Sequence, residues 1–396
     1  MIAVVGGTYR EINYDNVSHE IFGSGFRSSK FLLENNCKVK YVTFGNEETL
    51  LYLEENKKAY PALDFKFLTS PELITFKYSF ALDNPMIFPS LPNIVKSEHI
   101  MISDDNIICF GLLEGEVNIK GIKVIYDPQT AVKPKKFSAF GEAEKLIYIV
   151  NKSEAESISG SKDIKDIKTF FFKEEKAYAL IIKNGPHGAK LYYDQYEFDI
   201  PSYITSNVHK IGSGDIFTGS FGYYWLEKDL PLEKCALYAS LSTAYFCDIQ
   251  AYIDTSSIEN KQYKEHVFSD LSEKQVYLAA PFFSLAELIL IDKIRTAFLD
   301  FGVKVFSPFH DIGFGDDESI ARKDIEGLMK SDIIFCVFDN LDSGTLIESG
   351  FALAHDKKII GYQRTCEKNH LLMLKPADIK LYDNLTSAIY NTIWSL

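Results

Sequence analysis

The run Ile333-Ile334-Phe335-Cys336-Val337-Phe338, followed by Asp342-Ser343-Gly344-Thr345-Leu346-Ile347-Glu348-Ser349-Gly350-Phe351-Ala352, decides how the chain is read. Unbroken apolar character predicts a strand buried on both faces, which belongs in a parallel sheet. The residues after Asp342 suit a helix, so a carboxylate-bearing loop leads from the strand into a helix with a second acid, Glu348. Open α/β sheets take their ligands beyond the C-terminal ends of their strands. An acid held there can act as a fixed nucleophile or base. Asp342 alone reads equally well as a turn residue or N-cap, and Glu348 as an ordinary helical acid.

Residues elsewhere separate these readings. Tyr277 lies in the apolar strand Val276-Tyr277-Leu278-Ala279-Ala280, followed by Pro281-Phe282-Phe283. Asp324 opens Asp324-Ile325-Glu326-Gly327-Leu328, ahead of Ser331-Asp332 and the apolar run. Strand-Pro-aromatic, Asp-x-x-Gly and Asp-x-Gly-Thr-x-x-Glu-x-Gly-x-Ala, in that order over about 275–363, resemble the nucleoside 2-deoxyribosyltransferase family.

Cleaving an N-glycosidic bond develops oxocarbenium character at the sugar's C1. A carboxylate beneath that carbon stabilises the charge and can trap it covalently, while another group protonates the departing base. The resemblance implies that Glu348 is this nucleophile and that Tyr277 stands beside it. It implies that Asp324 and Asp342 contact nucleobase and sugar, one of them moving a proton, and that Gly344 and Gly350 let substrate approach closely. Phe282 and Phe283 suit a core but could stack on a base. Ser343 and Ser349 could bind a phosphate; His310, in Phe309-His310-Asp311, is expected on an exposed loop; Asp316 and Asp317 are expected to cap the next helix. The resemblance also implies a homo-oligomer, no cofactor for this domain, and either transfer to a second base or hydrolysis.

At 396 residues the chain is expected to hold two or three domains. Hydrophobic content of 46% supplies apolar cores, and a net charge of −13 argues against nucleic-acid or anionic-membrane partners. No apolar run approaches the roughly 18 residues that span a bilayer. Cys37, Cys109, Cys235, Cys247, Cys336 and Cys366 form no C-x-x-C pair and are expected as reduced thiols, consistent with a cytoplasmic enzyme.

The first part alternates predicted strands (Ile2–Val5, Val39–Phe44, His99–Ser103, Val124–Asp127, Lys145–Val150, Ala179–Lys183, Lys190–Tyr193) with helices (Ser24–Glu34, Ser153–Ser159, Asp163–Lys173, Gly214–Leu226, Pro231–Cys247). Alternation predicts a mostly parallel sheet covered on both faces. A polar stretch from Asp254 precedes the strand at Val276, so domains are expected over 1–253 and 274–396, with the boundary between about 254 and 273.

Within the first domain, Ile211-Gly212-Ser213-Gly214-Asp215 is a small-residue turn opening a helix. Its backbone N–H groups and helix dipole suit an anion, and Asp215 could take a proton from an attacking hydroxyl. Asn151-x-x-Glu154, Asn184-Gly185-x-x-Gly188 and Gly212-Ser213-Gly214-Asp215, after a glycine-rich N-terminal segment, together resemble the PfkB/ribokinase family over about 1–250. That resemblance implies a ribokinase-like α/β/α sandwich, followed by a smaller Rossmann-like (flavodoxin-like) α/β domain. It implies ATP and magnesium as cofactors, Asp215 as base, and Gly212, Ser213 and Gly214 as the anion hole. Asn151 and Glu154 would organise magnesium and phosphate, Glu154 indirectly, with Gly185 and Gly188 in the nucleotide loop.

The chain departs from that pattern at His209-Lys210-Ile211 before the anion turn, at Lys183-Asn184-Gly185, and at Arg27, which stands near the place of a sugar-binding Asn. The insertion between Gly7 and Gly23 is short for a lid over a sugar, and Arg27 and Lys210 could instead meet a phosphate. The expectation is a bifunctional enzyme of nucleosides or nucleotides, whose first domain is a kinase or a nucleotide-binding remnant. Two alternatives stand: a nucleotide N-glycosidase whose kinase-like domain only binds, and a non-catalytic assembly protein.

Overall fold

In the computed structural model, the chain is described except at residues 16, 98, 131–132, 267–269, 314–317, 366–371, 373, 375–376 and 378. Asp316, Asp317 and Cys366 lie outside the described residues; Cys37, Cys109, Cys235, Cys247 and Cys336 are free and buried. Residues 1–203 with 209–267 form one compact unit, and 204–208 with 268–396 a second. Among the described residues, no helix is long and apolar enough to cross a membrane.

Unit 1 is built on one large sheet. Parallel strands β1 (Ile2–Val5), β4 (Val39–Gly45), β5 (Leu63–Thr69), β8 (His99–Ser103), β9 (Asn106–Phe110), β10 (Glu116–Asp127), β11 (Gly141–Asn151) and β12 (Ala179–Lys183) are continued by antiparallel β13 (Ala189–Tyr193) and β14 (Tyr196–Ile200). Their order is β14-β13-β12-β11-β10-β9-β1-β4-β5, with β8 also on β10. Side chains alternate strictly between two cores. Ile2, Val4, Ile108, Ile125, Ile147 and Ile149 pack with α1 (Gly23–Glu34), α5 (Ser213–Gly222) and α6 (Leu232–Ile249). Ala3, Val5, Ile107, Val124, Tyr148 and Val150 pack with α3 (Lys152–Ser159) and α4 (Ile164–Thr169). Strands apolar on both faces are what a sheet sandwiched between helix layers requires, and the unit is the expected ribokinase-like α/β/α sandwich.

Two expectations are corrected here. The helices expected to Leu226 and Lys173 each end earlier and continue as π-helical turns, Tyr223–Glu227 and Phe170–Glu174. The short segment between Gly7 and Gly23 is one half of a larger element. The hairpin β2 (Arg10–Asn13) and β3 (Ser18–Ile21) joins β6 (Thr75–Tyr78) and β7 (Met86–Phe88) in a four-stranded sheet, order β3-β2-β6-β7. Half of that sheet comes from sequence far beyond Gly23, which reading one insertion at a time could not show.

A two-stranded ladder pairs β15 (Ser202–Ile204) with β16 (Lys264–His266). Unit 2 is a five-stranded parallel sheet of β17 (Gln275–Ala279), β18 (Lys304–Phe306), β19 (Ile333–Val337), β20 (Lys358–Tyr362) and β21 (Lys380–Tyr382), in the order β18-β17-β19-β20-β21. Numbered within the unit this is 2-1-3-4-5, the flavodoxin-like order, whose ligand crevice opens between strands 1 and 3. On one face Phe335 meets Phe298 of α7 (Leu285–Asp300), ring centroids 5.4 Å apart. On the other, Tyr277, Ile334 and Cys336 pack with Leu328 of α9 (Glu318–Lys330) and Ala352 of α10 (Ser343–Ala354). Asn391 of α11 (Leu385–Ile393) donates to the carbonyl of Thr205, and Val208 N–H donates to Ser387, which ties 204–208 into this unit.

Candidate functional site

The crevice between β17 and β19 is where side chains converge in unit 2. Tyr277 is fully buried in β17, and its hydroxyl donates to Glu348 Oε1 at 2.6 Å. Its ring stacks on Phe306 of β18, centroids 5.6 Å apart and planes within 15°. Phe306 also packs against α9: a Cβ on Gly327 would lie 2.3 Å from its ring. The glycine of Asp-x-x-Gly is therefore where α9 closes onto the aromatic that orients Tyr277. Asp324, one helical turn earlier, shares that face.

The electrostatics follow from burial. Glu348 is pushed up to about 7, chiefly by loss of water; the Tyr277 bond pulls it down, and the charges of Asp324 and Asp342 push it up. Burial also raises Asp324, whose Oδ1 is buried with no hydrogen-bond partner among the described residues. Tyr277 is raised by burial and by Glu348, so its hydroxyl stays a donor.

Asp342 is the N-cap of α10, its Oδ2 accepting from Thr345 N (2.8 Å) and Oγ1 (3.1 Å). A Cβ on Gly344 would sit 3.0 Å from that oxygen, while one on Gly350 would meet no atom within 4 Å among the described residues outside its own helix backbone. Phe282 and Phe283 stack at 5.1 Å just beyond β17, Phe283 being 73% exposed. Two expectations are corrected. Ser349 is buried and donates to the Leu346 carbonyl, so it faces the core and not a phosphate. His310 lies on a short helix, α8 (Pro308–Asp311), and not on a loop, with Nδ1 at Ser307 Oγ (3.0 Å) and Nε2 at Asp292 Oδ1 (2.7 Å). Sequence reasoning missed Phe306, because only the register of β17 against β18 puts it on Tyr277.

In unit 1 the turn before α5 is tight: Gly212 has φ +82°, where an L side chain is strained. Lys210 Nζ donates to Ser213 Oγ at 2.8 Å, and Lys183 Nζ lies 3.5 Å from the position of a Cβ on Gly214. Lys183 pairs with Asp127, which also accepts from Thr218, both at 2.8 Å. Burial opposes the charge of Lys183, but Asp127 and Glu154 hold its pKa above the usual value; burial lowers that of Lys210. Asn151 and Glu154 form a reciprocal capping box on α3, each side chain bound to the other's N–H at 2.8 Å. Burial, and then Asp127, raises Glu154 to about 7. Gly188 is required by packing, since a Cβ there would meet the Ile200 carbonyl at 2.2 Å, and Gly185 also has positive φ.

Residues 276–385 match the family model described as nucleoside 2-deoxyribosyltransferase, and residues 120–247 that described as pfkB family carbohydrate kinase. The chain thus carries one region similar to each of these two families. Both are enzyme families, and PfkB kinases use ATP and magnesium. Solved structures similar to the chain include ribokinase from Thermotoga maritima (16% identity, 66% of this chain and 98% of that one, TM-score 0.47). Others are a putative ribokinase II from E. coli (13%, 65% and 98%, 0.49) and the nucleoside kinase of Methanocaldococcus jannaschii (16%, 66% and 98%, 0.47). No curated protein sequence matches. Of the carboxylates around Lys183, Glu154 closes a capping box and Asp127 is paired with that lysine.

Proposed function

We propose that the domain over 274–396 cleaves or exchanges the N-glycosidic bond of a (deoxy)nucleoside or nucleotide, with Glu348 as nucleophile. The observation that carries this reading is the 2.6 Å contact between Tyr277 and Glu348 at the crevice of a 2-1-3-4-5 sheet. Deprotonated Glu348 attacks C1 of the sugar; the C1–N bond breaks, and the departing base takes a proton. Asp324, raised by burial and with one oxygen unspent, is suited to hold and deliver that proton. Asp342 caps α10 and sets the charge around Glu348. Phe282 and Phe283 offer ring faces to the base, and Gly344 keeps the mouth open. Water or a second base then attacks C1 and releases Glu348.

The domain over 1–253 engages the phosphates of ATP at Gly212, Ser213 and Gly214, beside Lys183 and Lys210, either as a kinase with Asp215 as base or as a nucleotide-binding remnant. The protein works in the cytoplasm as a homo-oligomer formed through the second domain. Exposed apolar side chains on α7 and α10, Leu285 and Ile347 at 75% and 69%, support such an interface.

The test is incubation with deoxynucleosides and with nucleoside monophosphates, with and without a free acceptor base. Exchanged nucleoside identifies a transferase, and base release without acceptor a hydrolase. Neither product, or products unchanged in Glu348→Ala, would overturn the reading.

A further inference from the structure

Arg27 is a buried cation that the glycosyl-transfer chemistry leaves unused. It lies in α1, 4% exposed, with its guanidinium carbon 4.9 Å from the ring centre of Phe22. One Nη donates to Asp215 Oδ2 at 2.7 Å and to Glu11 Oε1 at 3.2 Å; the other is paired with Glu11 Oε2. The second oxygen of Asp215 accepts from Gln129 Nε2 at 3.0 Å. Both oxygens of the candidate base are thus engaged. The guanidinium also lies against the anion turn, because a Cβ on Gly212 would sit 2.3 Å from Arg27 Nε and 2.5 Å from its Cζ.

Phosphoryl transfer makes a specific demand on this volume. The acceptor oxygen must donate its proton to the base while standing in line with the phosphorus at the anion turn. A bond then forms between that oxygen and the γ-phosphorus, the bond to the bridging β,γ-oxygen breaks, and the hydroxyl proton passes to the base. The space between Asp215 and Gly212 that such a hydroxyl would occupy holds the Arg27 guanidinium.

We infer that Arg27 is a resident substitute for the acceptor: it donates to Asp215 where a substrate hydroxyl would, so that unit 1 retains ATP without transferring its γ-phosphoryl group. Glu11 belongs to β2, so the cation that engages Asp215 also anchors the four-stranded sheet. A charged trio of this burial does not open cheaply, since removing one partner from a buried pair leaves an uncompensated charge. The inference rests on the reading of the α5 turn as the phosphate end of a nucleotide site.

The experiment uses the full chain with ATP and magnesium, offered ribose, deoxyribose and a panel of nucleosides. ATP binding is followed by calorimetry and turnover by ADP release. Arg27→Asn frees Asp215 directly. Because it strands the carboxylates of Asp215 and Glu11, the double variant Arg27→Leu with Glu11→Gln, which removes one charge of each sign, is measured beside it. The wild type is expected to bind ATP and form no acceptor-dependent ADP, and a folded variant to gain about tenfold or more in ADP formation. Acceptor-dependent ADP from the wild type overturns the inference, as does the absence of any gain in folded variants. Failure of the wild type to bind ATP overturns the nucleotide reading of unit 1 itself. Base release through Glu348, measured in the same preparation, reports separately on unit 2.

Discussion

Tyr277 and Glu348 meet across 71 positions of sequence at 2.6 Å, joining the first strand of unit 2 to the helix after its third. The phenol cannot ionise beside the carboxylate, so it remains a donor that favours the charged form of Glu348. A carboxyl held up to about 7 is half protonated near neutrality, and only its anion attacks.

The rate kcat/KM for base release is therefore expected to rise with pH through about 7. In Tyr277→Phe the bond that lowers the Glu348 pKa is gone, so this limb moves to higher pH, with a rate loss of about tenfold at neutrality. Glu348→Ala is expected to lose about 10³-fold or more at every pH. A limb that stays in place in Tyr277→Phe would refute the assignment of Tyr277.

The same carboxyl makes stability depend on pH. Between its ordinary value of 4.5 and about 7, the folded chain holds a proton that the unfolded chain has released. Stability therefore falls as pH rises through that window, and the whole cost of a buried anion is present above it. Urea midpoints of the wild type are expected to drop between about pH 5 and about pH 8, and Glu348→Gln to lose part of that drop.

Asp342 carries two effects that substitution can separate. Asparagine caps helices as well as aspartate does, so Asp342→Asn is expected to keep stability while moving the pH limb down, because a charge that raises Glu348 is removed. Asp342→Ala should move the limb in the same direction and also cost about 1 kcal/mol through the lost cap, read in a denaturant titration.

Gly327→Ala tests the support behind Tyr277. Its Cβ would reach 2.3 Å from Phe306, so the ring or α9 must shift. A loss of about 1–3 kcal/mol is expected, together with reduced base release. Stability lost with base release unchanged would show that Phe306 does not position Tyr277.

The sequence was legible where the physics is local. Runs such as Ile333–Val337 and Val4–Val5 announce strands buried on both faces, and Asp342 and Asn151 announce helix starts through their capping side chains. Tyr277, Asp324, Asp342 and Glu348 stand out in the sequence as a candidate site through the resemblance of their ordered motifs to the nucleoside 2-deoxyribosyltransferase family. What it could not show depends on elements distant in sequence meeting in space. The four-stranded sheet of unit 1 is assembled from 10–21 and 75–88, short strands whose partners no local pattern names. Phe306 reaches Tyr277 only through strand register, and Gly327 reaches Phe306 only through the packing of α9. Arg27 read as a substituted position on a helix. Only the fold, by burying it between Glu11 and Asp215, made it a guanidinium in the acceptor's place, because the charge of a residue is local but its partner is not.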